Sequence, residues 1–357
     1  MNQLLSLDKR ITAFVELGKV LGRAANSLLS EDSVFIEKHP GFFRSLQEAS
    51  LYNPWFTPAN IAFALNTWQK TLTKEGLDLW LAEYKNRIQP IIPKRVVVIM
   101  AGNIPLVGFH DFLCSVLAGH RFIGKLSSDD KVLLPAIADV LLDIEPLLKQ
   151  NIQFAESTIK EFDTIIATGS NNSARYFDYY FSKYPNIIRK NRNGVAVLGS
   201  NEGDETLVRL GFDICSYFGL GCRNVSKIFI PVGFDPKRLF IAIEPHLKTL
   251  SDHYKYMNNY SYQRSIFLLN NTHHLDNGAF IITESEKYSS PIPVLYYQFY
   301  ENIDTLKSKL IMDDELIQCV ATDLFTNAKT VALGCTQSPG LADYADGVNT
   351  MDFLTKL

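Results

Sequence analysis

The hydrophobic residues of the chain follow a helical period at first and a strand pattern later. Near the start, apolar residues recur every three or four positions, at Ile11, Phe14, Leu17 and Leu21. The segment 59–87 has a similar spacing, and Pro90 and Pro93 interrupt the pattern after it. This first part of the chain is therefore predicted to consist of helices and loops.

Short apolar runs then begin to alternate with helical spacing. The β-branched run 95–100 predicts a buried strand, and the turn 101–105 leads to a helix over 106–120 that Gly119 helps to end. Further elements are predicted in the same alternation, with strands at 121–126, 164–168 and 195–199 and helices near 130–149 and from Ser173. Strands that alternate with helices indicate a doubly wound, parallel sheet.

A second lobe is predicted to begin near Asn201. Its first helix runs from about Asp204 to Phe218, and a Gly-Leu-Gly turn at 219–221 leads to Cys222. Later strands are predicted at 227–231, 265–269, 279–283, 294–299 and 330–334. The pattern therefore predicts a second α/β domain that carries this cysteine.

The composition is that of a globular protein with more than one core. The chain has 357 residues, 46% of them hydrophobic and 20% charged, so two domains are expected, over 1–200 and 201–357. The net charge of -3 creates no field that would attract nucleic acid or an anionic membrane. No apolar run has the length of a membrane span, and the start of the chain is unlike a signal peptide.

The cysteines and histidines argue against disulfides and metal sites. The five cysteines form no CxxC pair and are odd in number, which indicates free thiols in a reducing compartment such as the cytoplasm. The histidines show no HExxH spacing, and the adjacent His273 and His274 point apart on any regular element. We therefore expect no metal site.

Cys222 is the strongest candidate for chemistry. It follows a turn with two glycines, which leaves room for a substrate carbonyl near the backbone. Arg223 and Lys227 are close in sequence, and local positive charge favours the thiolate, which is the nucleophilic form. The alternative is a small buried residue that only packs, and the local pattern does not exclude it.

Polar residues also follow the predicted strands of the first lobe, at the carboxyl ends where open α/β sheets bind ligands. Asn103 follows the first strand, and its amide can donate to an oxyanion. Lys125 ends the second strand, and Ser127 and Ser128 behind it suit a ribose or a phosphate. Three residues at the end of the next strand open a helix that can meet a pyrophosphate: Thr168, Gly169 and Ser170. The ordinary alternatives are a turn-forming Asn, a solvated loop and a helix N-cap.

Taken together, these motifs resemble the aldehyde dehydrogenase superfamily, and more closely its LuxC-type acyl-CoA reductase branch. The turn AGNIP puts Asn103 in the place of the superfamily's oxyanion asparagine, and AGHRFIGK puts Lys125 in the place of its cofactor-contacting lysine. ATGS at 167–170 resembles the cofactor turn, and FGLGCRNVSK puts Cys222 in the place of the nucleophile. The resemblance runs from about residue 90 to the end, and the tail 339–354 is similar to the acyl-CoA reductases in particular. It implies a Rossmann-type cofactor domain and a second, catalytic α/β domain.

Two departures from the superfamily pattern affect the expected activity. Aldehyde oxidisers carry a hydrolytic Glu in a Glu-Leu-Gly-Gly segment, and we match this segment to 197–200, where Val197 cannot be a general base. Gly199 of this segment is counted with the cofactor-binding residues. Many NAD-using relatives also have an acidic residue three positions after the cofactor lysine, where this chain has Ser128. The missing carboxylate favours NADPH, because its 2′-phosphate is less repelled.

The resemblance implies an NADPH-dependent reductase that turns an acyl thioester into an aldehyde through an acyl group on Cys222. The expected acyl donor is acyl-CoA or an acyl carrier protein, with no nucleic acid partner and a homodimer as the default of the relatives. Two alternatives stay open: an aldehyde dehydrogenase or acyl-phosphate reductase on the same scaffold, and a non-catalytic homologue that acts as a binding partner. The Tyr- and Asn-rich segment 253–264 is expected either to line a substrate channel or to form a polar surface.

Overall fold

The protein is described by a computed structural model over residues 5–30, 32–88, 92–155 and 159–357. Pro90, which was expected to interrupt the chain, lies outside these residues. The chain divides into two units. Unit 1 consists of Met1–Lys190 together with Gly340–Leu357, and unit 2 consists of Asn191–Pro339.

The helices at the start of unit 1 form on the predicted apolar stripe. The four apolar residues that predict the first helix are each 0% exposed. The segment 59–87 is not one helix, because Thr73 starts a new one by accepting the N–H of Gly76 at 3.1 Å. The helices before the first strand are α1 (Leu7–Ser30), α2 (Ser33–Lys38), α3 (Pro40–Tyr52), α4 (Pro58–Thr71), α5 (Lys74–Leu81) and α6 (Lys85–Ile88).

In the part of unit 1 that the structure describes, five parallel strands form one sheet in the order β3-β2-β1-β4-β5. The strands are β1 (Arg95–Ile99), β2 (Arg121–Lys125), β3 (Ile152–Phe154), β4 (Thr164–Thr168) and β5 (Asn186–Arg189). The helices between them are α7 (Phe109–Ala118), α8 (Leu133–Ile144) and α9 (Asn171–Phe181). The continuous apolar run of β1 fits its central place, where parallel strands are covered on both faces. Gly119 ends α7 in the left-handed conformation, with φ 92°, as the sequence predicts.

Unit 2, all of whose residues are described, contains seven strands in the order β12-β11-β6-β7-β10-β9-β8. They are β6 (Asn193–Val197), β7 (Val225–Pro231), β8 (Leu275–Asp276), β9 (Ile281–Glu284), β10 (Val294–Tyr300), β11 (Ile317–Ala321) and β12 (Thr330–Val331). Neighbouring strands are parallel except for β8 against β9. The helices are α10 (Asp204–Cys215), α11 (Phe240–Ile243), α12 (Leu247–Ser251), α13 (Tyr254–Leu269) and α14 (Ile303–Met312). The two sheets confirm the predicted α/β class.

Three sequence predictions differ from the structure. The strand predicted at 195–199 in the first domain is β6, which pairs with β7 and β11 in the sheet of unit 2, so the predicted boundary at 200 lies too far along the chain. The tail, predicted with the second domain, belongs to unit 1. The strand predicted at 265–269 is the last turn of α13, because a short apolar run fits a buried strand and one face of a helix equally well.

A buried ion pair of unit 1 also contacts the tail. Arg189 at the end of β5 donates to both carboxylate oxygens of Asp111 in α7, and the two side chains are 7% and 3% exposed. The same guanidinium donates at 3.1 Å to Thr350 of α15 (Thr350–Leu354). A hydrogen bond to a charged group typically contributes about 1.5–3 kcal/mol, so the bond from Arg189 to Thr350 favours docking of the tail.

Candidate active site

The carboxyl edge of the first sheet brings most of the predicted cofactor residues together. Ile99 at the end of β1 pairs with Lys125 on one side and with Ala167 on the other. Lys125 and Thr168 therefore end their strands on either side of β1, and the turn that carries Asn103 leaves β1 between them. This is the edge at which parallel sheets of this kind bind ligands.

Two glycines let the turns at this edge approach closely. A Cβ on Gly102 would lie 2.8 Å from the Oγ of Ser127, so only glycine fits against the turn after β2. A Cβ on Gly169 would lie 2.9 Å from the Cβ of Ser173. Ser170 caps α9 by accepting the N–H of Ser173 at 3.2 Å, which opens the amino end of that helix at the sheet edge.

The carboxylate of Asp130 links the turns at this edge of the sheet. The sequence motifs did not indicate this role. The carboxylate accepts the backbone N–H of Leu106 at 3.4 Å, which links the turn after β2 to the turn after β1. Burial raises the pKa of Asp130 to about 6. On the other side, the amide of Asn53 donates to the carbonyl of Gly102 at 3.1 Å. The half-buried Asn103 lies in the bend that these contacts hold.

In unit 2, Cys222 lies in a turn between α10 and β7. All five cysteines are described, and of these Cys222 and Cys335 are exposed. The predicted helix ends at Cys215 instead of continuing, because Tyr217 and Phe218 adopt the left-handed conformation with φ 50° and 58°. Non-glycine residues in that region cost about 1–3 kcal/mol and are concentrated at functional sites.

Asn224 fastens the turn from its carboxyl side. Its side chain is 3% exposed and accepts the N–H of Gly221 at 2.8 Å. Its amide group donates to the carbonyls at the end of α10, with distances of 3.1 Å to Asp213, 3.4 Å to Ile214 and 2.8 Å to Ser216. One side chain therefore joins the residue before Cys222 to the end of the preceding helix.

A second set of contacts holds the residue after Cys222. The Nε of Arg223 donates to the carbonyl of Thr336. The carboxylate of Asp213, which is 0% exposed, accepts the N–H groups of Gly334 at 2.6 Å and of Thr336 at 2.9 Å. Burial is the largest cause that raises the pKa of Asp213, and these bonds oppose it. Both neighbours of Cys222 are thus fixed to α10 or to a loop that α10 holds.

Lys227 does not play the role that its place in the sequence suggested. Its side chain is 0% exposed, and its ammonium donates to the carbonyl of Ser285 at 2.9 Å and to Gln298 at 2.7 Å. The ammonium also lies 4.9 Å from the ring centre of Phe229. Burial lowers its pKa to about 8. The charge that was expected to favour the Cys222 thiolate is therefore bound within the sheet.

The match of 197–200 to a hydrolytic segment is wrong. Val197 is 0% exposed and packs with Phe229 and Leu306 in a core cluster. Gly194 pairs with Val225, the first residue of β7, which follows the turn of Cys222. Val197 instead pairs with Phe229, further along β7. Gly199 lies beyond the carboxyl end of β6. It is five residues after Gly194, which corresponds to about 16 Å at 3.3 Å per residue. It belongs to unit 2, whereas the other predicted cofactor residues belong to unit 1.

We expect Val197→Glu to destabilise the protein instead of creating a general base. The new carboxylate would be buried without a partner, which costs about 3–5 kcal/mol. Urea unfolding measures this loss, and Val208→Glu is the matched control, because Val208 lies on α10 of the same unit and is 38% exposed. A Val197→Glu variant as stable as the control would contradict the observed packing.

Metal binding and membrane insertion find no support in the described residues. Over these ranges, no group of three or more His, Cys, Asp and Glu side chains could hold a metal ion. Over the same ranges, every helix is too short or too polar to cross a bilayer.

The sequence and the fold are both similar to known proteins. The acyl-CoA reductase (LuxC) family profile matches residues 36–237. A curated relative, the long-chain acyl-protein thioester reductase of Photorhabdus laumondii, is 23% identical over an alignment of 168 positions that covers 43% of this chain and 35% of the relative. The chain therefore matches about a third of the length of that relative.

Solved structures of aldehyde dehydrogenases share the fold. Aldehyde dehydrogenase 21 from Physcomitrella patens, in complex with the reaction product succinate, has a TM-score of 0.63 at 12% identity and covers 98% of this chain and 87% of its own. A mutant indole-3-acetaldehyde dehydrogenase of P. syringae, in complex with NAD+ and IAA, has a TM-score of 0.61 at 11% identity and covers 94% of this chain and 74% of its own. These similarities confirm the aldehyde-dehydrogenase-like fold.

Proposed function

Because the chain belongs to the LuxC acyl-CoA reductase family, we propose that it reduces an acyl thioester to an aldehyde through an acyl group held on Cys222. The observation that carries this proposal is the exposure of Cys222 in a turn that begins with left-handed residues. The residues on either side of Cys222 are both held by side-chain hydrogen bonds. A thiol that only packs has no need of either feature. Acyl-CoA and an acyl group on a protein are both candidate substrates.

The proposed reaction begins with the Cys222 thiolate. It attacks the carbonyl carbon and forms a new C–S bond, while the amide of Asn103 and the backbone N–H of Cys222 donate to the oxyanion. The C–S bond to the donor breaks, and the donor thiol leaves with a proton. A nicotinamide cofactor, when bound, supplies the hydride that reduces the acyl carbon. Cys222 is then expelled as a thiolate, which releases the aldehyde.

The residues at the carboxyl edge of the first sheet fit a dinucleotide. The close contacts at Gly102 and Gly169 hold the turns at this edge in place, and the amino end of α9 favours a phosphate. Lys125 and the adjacent serines supply a cation and hydroxyl groups for a ribose or phosphate. The exposed Ser128 has no carboxylate to repel a 2′-phosphate, which supports NADPH.

Acyl transfer and reduction are tested separately. The protein is incubated with labelled acyl-CoAs of several lengths and with an acylated carrier protein, and the label is located by peptide mass spectrometry. NADPH or NADH is then added and the aldehyde is measured. We expect the label on Cys222 and its conversion to aldehyde, faster with NADPH. A label on another residue, or release of free acid alone, would refute the proposed reaction.

We expect Asn224→Ala to slow acylation by roughly a hundredfold, because small misplacement of a reacting group has effects of this size. Asn224 is a positioning residue, so the loss should fall on the acylation rate more than on the KM for the thioester. Asn259→Ala is the control, since that amide also donates to a carbonyl of unit 2, at 2.8 Å, but within α13. If a folded Asn224→Ala protein is acylated at the wild-type rate, the hydrogen bonds of Asn224 are not needed to position Cys222.

A further inference from the structure

The carboxylate of Asp130 is buried without a partner of opposite charge. The residue is 9% exposed. Among the residues that the structure describes, it forms no ion pair with a Lys, Arg or His side chain, and the shift of its pKa to about 6 comes from burial, opposed by two backbone N–H groups. Burial of an unpaired charge destabilises a folded protein, so stability does not explain why this side chain is an acid.

Each oxygen of this carboxylate accepts a different backbone N–H. Oδ2 accepts from Leu106 in the turn after β1, and Oδ1 accepts from Leu133 at the start of α8, both at 3.4 Å. An ionised carboxylate has two oxygens that only accept, and its hydrogen bonds are charge-assisted. A neutral carboxyl carries a proton on one oxygen, and an Asn side chain has an NH₂ group in its place. The link between the two elements is therefore strongest when Asp130 is ionised.

Leu106 has a backbone conformation that needs such support. Its φ is 64°, in the left-handed region that residues with a Cβ rarely adopt. Leu106 ends the turn that carries Asn103, three residues earlier in the chain. If the N–H of Leu106 were released, the strained residue would relax and Asn103 would move with it. A small misplacement of a group that acts in the reaction has a large effect on the rate.

Asp130 is itself held against both turns at this edge. Its N–H donates to the carbonyl of Ser127 at 3.4 Å, and a Cβ on Gly102 would lie only 3.0 Å from its nitrogen. This close packing leaves the carboxylate little freedom to follow Leu106 if that residue moves. Asp130 is therefore a fixed point from which the turn of Asn103 is held.

We propose that Asp130 is a positioning residue, whose ionised carboxylate holds the turn of Asn103 in the conformation that stabilises the oxyanion. The inference rests on the proposed function and adds a pH dependence to it. Acylation of Cys222 weakens as Asp130 takes up a proton, which occurs near pH 6.

Few ionisable groups surround this carboxylate in the elements packed against it. The turn 101–106 has none, and the first in α8 is the exposed Asp139. The ionisable neighbours on the turn of Asp130 itself are Lys125, Asp129 and Lys131. Because no charged group is among the causes of the pKa shift of Asp130, its own burial sets the pH at which it titrates.

Acid should change the rate and the stability in opposite directions. The pKa of Asp130 is raised in the folded state, so folding favours the protonated form. The wild type should therefore gain stability relative to Asp130→Asn as the pH falls from about 8 to about 5, because the amide does not titrate. Its acylation rate should fall over the same range. A carboxylate that served only the stability of the fold would have a lowered pKa and would give the opposite change in stability.

The first test is the rate of Cys222 acylation by acyl-CoA, without cofactor, for the wild type and Asp130→Asn. The ratio of the two rates cancels the protonation of Cys222, which both proteins share. We expect a ratio near one at about pH 5 that rises to roughly tenfold at about pH 8, the effect of one charge-assisted hydrogen bond. Asp139→Asn is the matched control and should follow the wild type throughout. A ratio that stays constant with pH would overturn the inference.

Combining Asp130→Asn with Asn103→Ala tests whether Asp130 acts through Asn103. Two residues that act as one unit have effects that do not multiply. In the Asn103→Ala background, Asp130→Asn should therefore change the acylation rate by less than about twofold at any pH. If the two losses multiply instead, Asp130 affects the reaction by another route and the assignment is wrong.

Hydrogen exchange tests the hold on the turn without any substrate. Exchange of the backbone amides over 101–107, corrected for the intrinsic effect of pH, reports local opening of this turn. It should be slower in the wild type than in Asp130→Asn at high pH, and equal in the two proteins below the pKa of Asp130. Equal exchange at high pH would show that the ionised carboxylate does not hold the turn.

The outcomes separate this inference from the proposed function. If Cys222 is acylated and the rate ratio does not depend on pH, the proposed reaction stands and the role of Asp130 is wrong. If the ratio rises as expected, both are supported. If no thioester labels Cys222, the reaction and the role of Asp130 in it both fail.

Discussion

Cys222→Ala removes the acyl label and lowers reductase activity at least about ten-thousandfold, as expected when a covalent nucleophile is lost. The side chain is exposed in its turn, and the fastening contacts use the side chains and backbone of its neighbours, so the fold should survive. Labelling by acyl-CoA followed by mass spectrometry measures the first effect, and aldehyde formation measures the second.

Cys335→Ala is the matched control, because Cys335 is the other exposed cysteine and lies in the same unit. It should retain both the label and the activity. A label that persists in Cys222→Ala and disappears in Cys335→Ala would move the nucleophile to the other loop.

Asn103→Ala lowers turnover by roughly a hundred- to a thousandfold, the usual effect of losing one oxyanion donor. Asn103→Asp should behave alike, because an ionised carboxylate keeps the shape of the side chain and has no N–H to donate. Single-turnover acylation of Cys222 measures the loss directly. Thioester binding should change far less, since the oxyanion exists only after attack.

The control for this pair is Asn151→Ala. Asn151 donates to the carbonyl of His120 at 3.5 Å within unit 1, and its loss should leave turnover unchanged. Turnover of Asn103→Ala within a factor of about three of the wild type would remove Asn103 from the mechanism, given the size of the effect expected for an oxyanion donor.

Elements with a strong local pattern could be predicted from the sequence. The apolar run of β1 and the apolar stripe of α7 predict by themselves that these elements are buried. Gly119 predicts the end of α7, because glycine adopts the left-handed conformation easily. The motif residues at the ends of β1, β2 and β4 fall at one edge because parallel strands must align there.

The features that the sequence did not reveal depend on distant partners. The pairing of Arg189 with Asp111 joins residues 78 positions apart, and no local pattern connects them. No sequence motif singled out Asn224, because its hydrogen bonds depend on how α10 ends. Val197 was misplaced because a short match of four residues fits more than one strand, and only strand pairing decides between them.

The buried contact of Arg189, Asp111 and Thr350 also sets an order of events during synthesis. Unit 1 is built from segments that precede and follow unit 2 in the chain. While the ribosome is still translating unit 2, Arg189 and Asp111 are present but Thr350 has not been made. Unit 2 has a continuous sequence and can therefore complete its folding before unit 1 does, since domains fold as units during synthesis. A chain whose translation stops before residue 340 would leave unit 1 with an exposed docking surface, the state in which chaperones and proteases recognise an unfinished protein.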